Sequence, residues 1–505
     1  MAIGSTKTNN ENPKCCSVVR FQGIPRAQAY AYGSVSHGAI AMSNVFLSAS
    51  IIYLASDEAG CIDENDEVDD DCDERVYGFR PAVIVTNIAV IAGLVAAFVL
   101  PLFGAIIDYT SYRRLAGIIL AISMFVIQAV QIGTVEATWF FMAILQAIIG
   151  ALYEFHQAVM MSYLPDITRQ DKVDESTMTH FCKYFYIIQF ICQLLYLIAV
   201  VAISFGLDLD NVETGQAGQV ICCAILSVTL FQTWKLFPET EPRHHLADGH
   251  KSLLAAGFRQ NWKTCVRINQ HSMALKWFFI SVAVIEAGTS GILPISVTYQ
   301  TRVLNFDSNQ VGIAFVCALV GAVAGSSFGP IVTERTNPIT SWKYNTLLNG
   351  AVTAVGLIFM TEDNAYLGYV FGFIWGFFLG WHFTTQQLLF SLCLPEGQEA
   401  ELSGFFTYCT IILSWLPPLI FTIVVEAGAS EAWGASTLVG FQALGFFCLM
   451  MMPSWQTVLE GAKKSLLLDV YDDNSVQKVH NAHSEEVETG PSSHPSEVAD
   501  EPQQK

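Results

Sequence analysis

The sequence predicts an all-α membrane protein of about twelve transmembrane helices arranged as two six-helix bundles. Three observations carry this expectation. Hydrophobic residues make up 52% of the 505 and charged residues only 14%, against roughly 25% charged in a soluble domain. Apolar runs recur along the chain, each about 20 residues or longer and so able to cross a hydrocarbon core of about 30 Å. The chain also echoes itself at an offset of roughly 230 residues. Phe103-Gly104-Ala105-Ile106-Ile107, ending the second run, returns as Phe328-Gly329-Pro330-Ile331-Val332 in the eighth. Ser162-Tyr163-Leu164-Pro165-Asp166, ending the fourth run, returns as Ser391-Leu392-Cys393-Leu394-Pro395-Glu396 after the tenth. Paired six-helix repeats are an arrangement that transporters use.

Taken in order, residues 1–27 form a polar arm with Lys7, Lys14, Arg20 and Arg26. It lacks an apolar core with a cleavage site, so no removable signal peptide is expected. Cys15 and Cys16 are juxtamembrane and thus either palmitoylation candidates or ordinary thiols. The first bundle occupies 28–237, with spans at about 28–54, 81–107, 113–134, 137–163, 179–206 and 217–237. Between its first two spans, the 55–80 loop is too acidic to pack and must lie in water. Cys61 and Cys72 bracket its acidic run and are a candidate disulfide, worth about 3 kcal/mol in the chain-entropy model. Such a bridge requires an oxidising side of the membrane. Residues 238–272 form a polar connection carrying Arg243, Lys251, Arg259, Lys263 and Arg267. The second bundle occupies 273–452, with spans at about 274–299, 309–333, 340–361, 364–392, 401–427 and 432–452. Residues 453–505, rich in Ser, Glu, Asp, His and Pro, read as a disordered tail. Within the tail, Ser465-Leu466-Leu467 has the form of a leucine-type sorting signal.

The net charge of -20 is local to the acidic loop and the tail, and no nucleic-acid partner is inferred from it. Lys and Arg of the short loops decide orientation instead. Arg113, Arg114, Arg169, Lys172, the five cations of the connection, Arg335, Lys343, Lys463 and Lys464 fall on one side if there are twelve spans. Both termini are therefore expected in the cytoplasm, with the cysteine loop in a lumen or outside.

Chemistry is sought among ionisable side chains inside the membrane, because each costs about 2.5–3.5 kcal/mol at a helix centre. Glu154 precedes Pro165 by eleven residues, about 16 Å at the helical rise. His382 precedes Pro395 by thirteen, about 20 Å. His37 and Glu286 lie at similar depth beyond Arg26 and Lys276. Such groups can hold an ammonium or carboxylate and carry protons; equally, neighbouring hydroxyls can satisfy the acids, and the histidines can serve helix packing. His156, two positions after Glu154, points elsewhere on its helix. Gly321, Gly325 and Gly329 form a row that permits close helix approach. His244, His245 and His250 lack zinc-like cysteine partners, and no phosphate loop or nucleophile elbow is present. Neither an enzyme, a cofactor nor a metal is expected.

One further stretch, Pro101 to Arg114, ends an apolar run with Gly104 and Asp108 and closes a short turn on Arg113 and Arg114. With the two six-helix halves and the central connection, this turn resembles the major facilitator superfamily. Within it, the chain resembles the autophagy-related vacuolar amino-acid effluxer family. That resemblance rests on Tyr32-Gly33-Ser34-Val35-Ser36, Gly104-Ala105-Ile106-Ile107-Asp108, Tyr163-Leu164-Pro165-Asp166-Ile167 and the stretch Pro395 to Phe406. It covers about 28–452. The chain departs from bacterial-type members at Ala31 and Ser34, where they carry aspartate and asparagine, and in the bulkier residues around His180, Cys182 and Lys183.

The resemblance implies that the first, fourth, seventh and tenth helices line a central cavity, bringing His37, Glu154, Glu286 and His382 together as substrate or proton-coupling residues. It implies that Gly104, Asp108, Arg113 and Arg114 form a gate that stabilises the outward-open state. The expected function is secondary transport by alternating access, with amino acids leaving a vacuole or lysosome-like compartment and protons as a candidate coupling ion. The alternatives are a carrier of another small solute at a different membrane, or a transporter-like scaffold or receptor.

Overall fold

A computed structural model of the chain describes residues 25–62, 74–163, 175–240, 252–393 and 399–458. Its first half comprises α1 (Pro25–Glu58), α2 (Ile84–Tyr109), α3 (Arg113–Gln131), α4 (Trp139–Met161), α5 (Glu175–Leu207) and α6 (Asn211–Leu236). The connection contributes α7 (Leu253–His271). The second half comprises α8 (Met273–Arg302), α9 (Ser308–Arg335), α10 (Pro338–Phe359), α11 (Leu367–Cys393), α12 (Glu399–Ile411), α13 (Leu416–Glu426) and α14 (Glu431–Met450). Among the described residues the extended pairing is a single bridge between Val76 and Phe79. Below, the end of the molecule that carries residues 59–62 and 74–83 is the loop face, and the end that carries α7 is the linker face.

Local sequence explains where helices begin. Asp210 and Asp307 each close a capping box, with Glu213 and Gln310 three residues on. Ser252 and Ser272 accept backbone N–H groups at the starts of α7 and α8. Asn337 does the same before Pro338, whose missing N–H costs nothing in a first turn.

Burial sorts the helices into layers. The most apolar window of α1 is 83% buried and that of α8 67%, the two highest values among the spans, so the first helix of each half is its innermost. Both are rich in Ala, Gly and Ser, which let neighbours approach closely. Outward-facing Phe98, Ile122, Phe231 and Phe447 are exposed, as suits side chains that meet lipid rather than water.

Eleven helical segments are long and apolar enough to cross a membrane among the described residues. The remaining expected span, α10, is 22 residues long, about 33 Å at the helical rise, but it carries a buried polar spine. Ser341, Asn345 and Asn349 follow one another at helical spacing, with Thr346 and Thr353 beside them. These groups are used inside the bundle: Asn345 donates to the carbonyl of Phe378 (2.8 Å), and the Trp375 and Trp381 indoles donate to Thr353 and Ser341 (3.1 and 3.0 Å). The helix spans by length while its composition reflects bonding to α11.

The eleventh span, expected as one run over 401–427, is interrupted at 412–415 between α12 and α13. Pro417 and Pro418 lack N–H groups and clash with the preceding turn. The Trp415 indole then donates to the freed carbonyl of Ile412 (2.9 Å). In the second half, α9 and α11 pack glycine against backbone. A Cβ on Gly321 or Gly325 would strike the carbonyl oxygens of Phe373 or Phe377; one on Gly376 or Gly380 would strike those of Ala318 or Ala322.

Candidate functional site

Between the halves lies a cavity of about 680 Å³. Its wall takes residues from α1, α2, α4 and α5 of the first half and from α8, α11, α12 and α13 of the second, and α7 closes part of it with Gly257, Gln260, Asn261 and Thr264. The cavity extends along α2 from Val85 to Tyr109. Ile411, Ser414 and Pro418 place the interruption of the eleventh span in its wall, the position at which broken helices serve transporters.

Of the four expected coupling residues, Glu154 and Glu286 line this cavity. Glu286, 8% exposed, is held from behind. Trp342 Nε1–H donates to Nδ1 of His382 (2.9 Å), and His382 Nε2 lies 3.0 Å from Glu286 Oε1. Indole nitrogen is only a donor, so Nδ1 is an acceptor and neutral His382 carries its proton on Nε2, which donates to the carboxylate. His382 is thus one hydrogen bond behind the cavity wall.

His37 is placed differently. It is 2% exposed, outside the lining, and its Nε2 lies 2.8 Å from Nδ1 of His156. Trp234 Nε1–H donates to Nε2 of His156 (3.0 Å). The same donor logic gives neutral His156 an N–H at Nδ1, directed at His37. The Tyr153 ring lies 4.3 Å from the His37 ring by centroids and also faces the cavity. His37 therefore belongs to a sealed Trp-His-His chain.

His156 and the two tryptophans were not among the expected functional residues. Spacing correctly directs His156 away from Glu154, but says nothing about which partner lies behind the helix. Gln386, Gln146 and Asn44 are further cavity residues that depth arguments on charged groups pass over. Each has one buried amide atom that meets no protein hydrogen-bond partner. Gln386 and Gln146 are 4% and 6% exposed.

The turn after α2 is divided. Gly104 and Asp108 line the cavity, and Asp108 is engaged in an interaction. Arg113 is buried over the Tyr163 ring, 3.5 Å from its centroid. Arg114 donates to the carbonyl of Trp234 (3.1 and 3.2 Å) and pairs with Glu239 (3.5 Å). These contacts tie the described turn to the first bundle.

At the loop face the halves are joined directly. Arg75 pairs with Glu426 at 2.7 Å, and the same carboxylate accepts the backbone N–H of Arg80 (3.0 Å). The hydroxyls of Thr86 and Thr422 meet at 2.9 Å. Ser308 donates its backbone N–H to the Asn211 side chain (2.7 Å) and its hydroxyl to the Asn211 carbonyl (3.2 Å). Cys61 is in a disulfide; Cys72, its expected partner, lies outside the described residues. So do Cys15, Cys16, Leu164 to Ile167, His244, His245, His250, Pro395 to Gln398 and Ser465 to Leu467.

Residues 27–460 match the family described as "Vacuole effluxer Atg22 like". A curated relative, autophagy-related protein 22 of Yarrowia lipolytica, is 23% identical over 210 residues, covering 37% of this chain and 34% of that protein. The alignment therefore spans about a third of the relative's length. Among solved structures, the nucleoside transporter NupG superposes with a TM-score of 0.55 at 12% identity, covering 85% of this chain and 99% of that one. The human organic anion transporter MFSD10 gives 0.56 at 13%, covering 85% and 100%. A variant of the E. coli fucose:proton symporter FucP gives 0.52 at 13%, covering 85% and 99%. At these identities the likeness speaks for the fold.

Proposed function

The chain belongs to the Atg22-like vacuole effluxer family, multi-pass membrane proteins with the major facilitator fold, and we propose that it exports amino acids from a vacuole or lysosome-like compartment by alternating access. The observation that carries this reading is the cavity between the halves, with Glu286 at its wall and His382 hydrogen-bonded behind it. A solute in the cavity touches both halves at once, so rocking one against the other changes which side it can leave. Glu286 is a carboxylate that can take a proton from such a cavity, and His382 Nε2 holds it in place. A scaffold or receptor role gives no use to ionisable groups on a cavity wall.

In this reading the linker face is cytoplasmic, as the distribution of Lys and Arg favours, and the disulfide-bearing loop face is luminal, as an oxidising compartment favours. The bridges among Arg75, Arg80, Glu426, Thr86, Thr422, Asn211 and Ser308 hold the luminal side shut. Export then requires these bonds to break for loading and to re-form for release.

Gly104, Asp108, Arg113 and Arg114 are the opposing gate. The arginines brace the turn on the first bundle while Asp108 stays at the cavity, ready to engage the second half when the cytoplasmic side closes. Asp108→Asn is expected to shift cysteine labelling toward the cytoplasmic side; unchanged labelling reduces the stretch to a topological turn.

The direct test is flux of labelled amino acids in proteoliposomes of the full chain, with and without a pH gradient. Saturable movement of at least one amino acid is expected, and movement of none under any gradient overturns the proposal.

A further inference from the structure

The charged residues described in the cavity wall are all acidic. Among its described lining residues are Asp108, Glu154 and Glu286, and no Lys, Arg or His. Asp108 has its own interaction, and Glu154 and Glu286, the latter bonded to His382, are two carboxyls on one cavity wall. Two like charges so placed must share protons or be neutralised by a cation. The rest of the polar wall is largely carboxamide and hydroxyl, and part of it is left unpaired. Gln386, 4% exposed, has a buried Nε2 with no acceptor, and Gln146, 6% exposed, has a buried Oε1 with no donor. With Asn44 Oδ1, these atoms are donor and acceptor capacity of the wall residues that no other protein group uses.

We infer that the cavity selects a cationic amino acid, one with a positively charged side chain, over neutral and acidic ones; this rests on the transport reading of the same cavity. The assignment follows from matching charges. A solute of the lysine type offers two positive groups, one for Glu154 and one for Glu286. Its single carboxylate goes to the Gln386 amide, which lies one helical turn beyond His382 on α11. The Gln146 oxygen accepts from whichever ammonium reaches the loop-face end. A neutral zwitterion neutralises one acid and leaves the other charged. An acidic solute adds like charge to a wall where the described residues hold no cation, and desolvated like charges repel strongly.

Purified full chain in proteoliposomes is tested with labelled lysine, leucine and glutamate at equal concentration. Lysine flux is expected to exceed leucine flux by about tenfold, the scale of one well-placed charge contact, with glutamate at background. Unlabelled arginine is expected to compete with lysine, and leucine to compete weakly. Glu154→Gln should reduce lysine flux more than leucine flux, narrowing the ratio. Because a variant can fail to fold, thermal stabilisation of the wild-type protein in detergent by lysine, leucine and glutamate supplies an independent readout, expected in that order. Leucine or glutamate flux equal to or above lysine flux, or equal stabilisation by all three, overturns the cation assignment while the transport reading stands. No flux of any amino acid overturns both.

Discussion

The two bundles build the same three-residue device and end it in different places. In each, a tryptophan N–H fixes a histidine on the fourth helix of its half, and that histidine reaches a residue on the first helix. In the first half the chain is Trp234, His156, His37, and it is sealed inside the bundle. In the second it is Trp342, His382, Glu286, and it ends on a carboxylate at the cavity. The tryptophan comes from the sixth helix of the first half but from the third of the second. A similar arrangement thus serves packing on one side and holds a cavity carboxylate on the other. What separates them is whether the last group touches the cavity.

Helix packing shows a second contrast. α9 and α11 meet through glycines set against backbone, whereas α2 and α4 meet at Gly150, where an added Cβ would lie 2.9 Å from the Ala92 methyl carbon. A side chain can shift more readily than a backbone carbonyl. Gly376→Ala is therefore expected to destabilise the protein by about 3 kcal/mol, the upper range for overpacking. Gly150→Ala is expected to cost about 1 kcal/mol. Thermal unfolding in detergent reads both, and equal shifts erase the contrast.

The two networks can be separated by cutting each at its histidine. His156→Ala leaves the Trp234 N–H and His37 without partners, which should cost about 2–3 kcal/mol of stability while flux per folded molecule is retained. His382→Ala frees Glu286, so its main expected effect is on transport, altering the dependence of flux on pH and reducing its maximum. A flux defect in His156→Ala matching that of His382→Ala would mean that both chains serve transport.

The smallest effect is expected at the loop face. Glu426→Gln removes the charge paired with Arg75, whose side chain is 45% exposed, and exposed pairs contribute about 0–1 kcal/mol. Stability should barely change, but a cysteine at Gln146 should become more reactive to a reagent added at the loop face. Unchanged reactivity would show that the remaining bridges at Thr86 and Asn211 suffice.

Much of this was legible in the chain. Apolar runs gave the spans because a helix that faces lipid has no other way to satisfy its backbone. Depth counted from Pro165 for Glu154 and from Lys276 for Glu286 agrees with their place at the cavity, since helical rise is nearly constant. His37 was drawn to the same depth and does not reach the cavity, because depth fixes height along a helix and not the direction of a side chain. The spine of α10 lowers its hydropathy for a reason found only in its contacts with Trp375, Phe378 and Trp381. The eleventh span is expected as one run because the residues around Pro417-Pro418 are continuously apolar, although these prolines stand just after its break. Leu254, Phe258 and Trp262 repeat at helical spacing in the connection and are exposed along one face of α7, a pattern obscured by Arg259, Lys263 and Arg267 in the same stretch.

The central claim is that Glu286, at the cavity wall with His382 behind it, couples proton movement to solute movement. Accumulation of labelled lysine driven by an imposed pH gradient, measured beside lysine exchange without a gradient, tests it in wild type and Glu286→Gln. The account predicts that the variant loses gradient-driven accumulation by about 100-fold, the low end for a positioned proton-transfer group, while exchange falls less. Equal accumulation in the two proteins would contradict it.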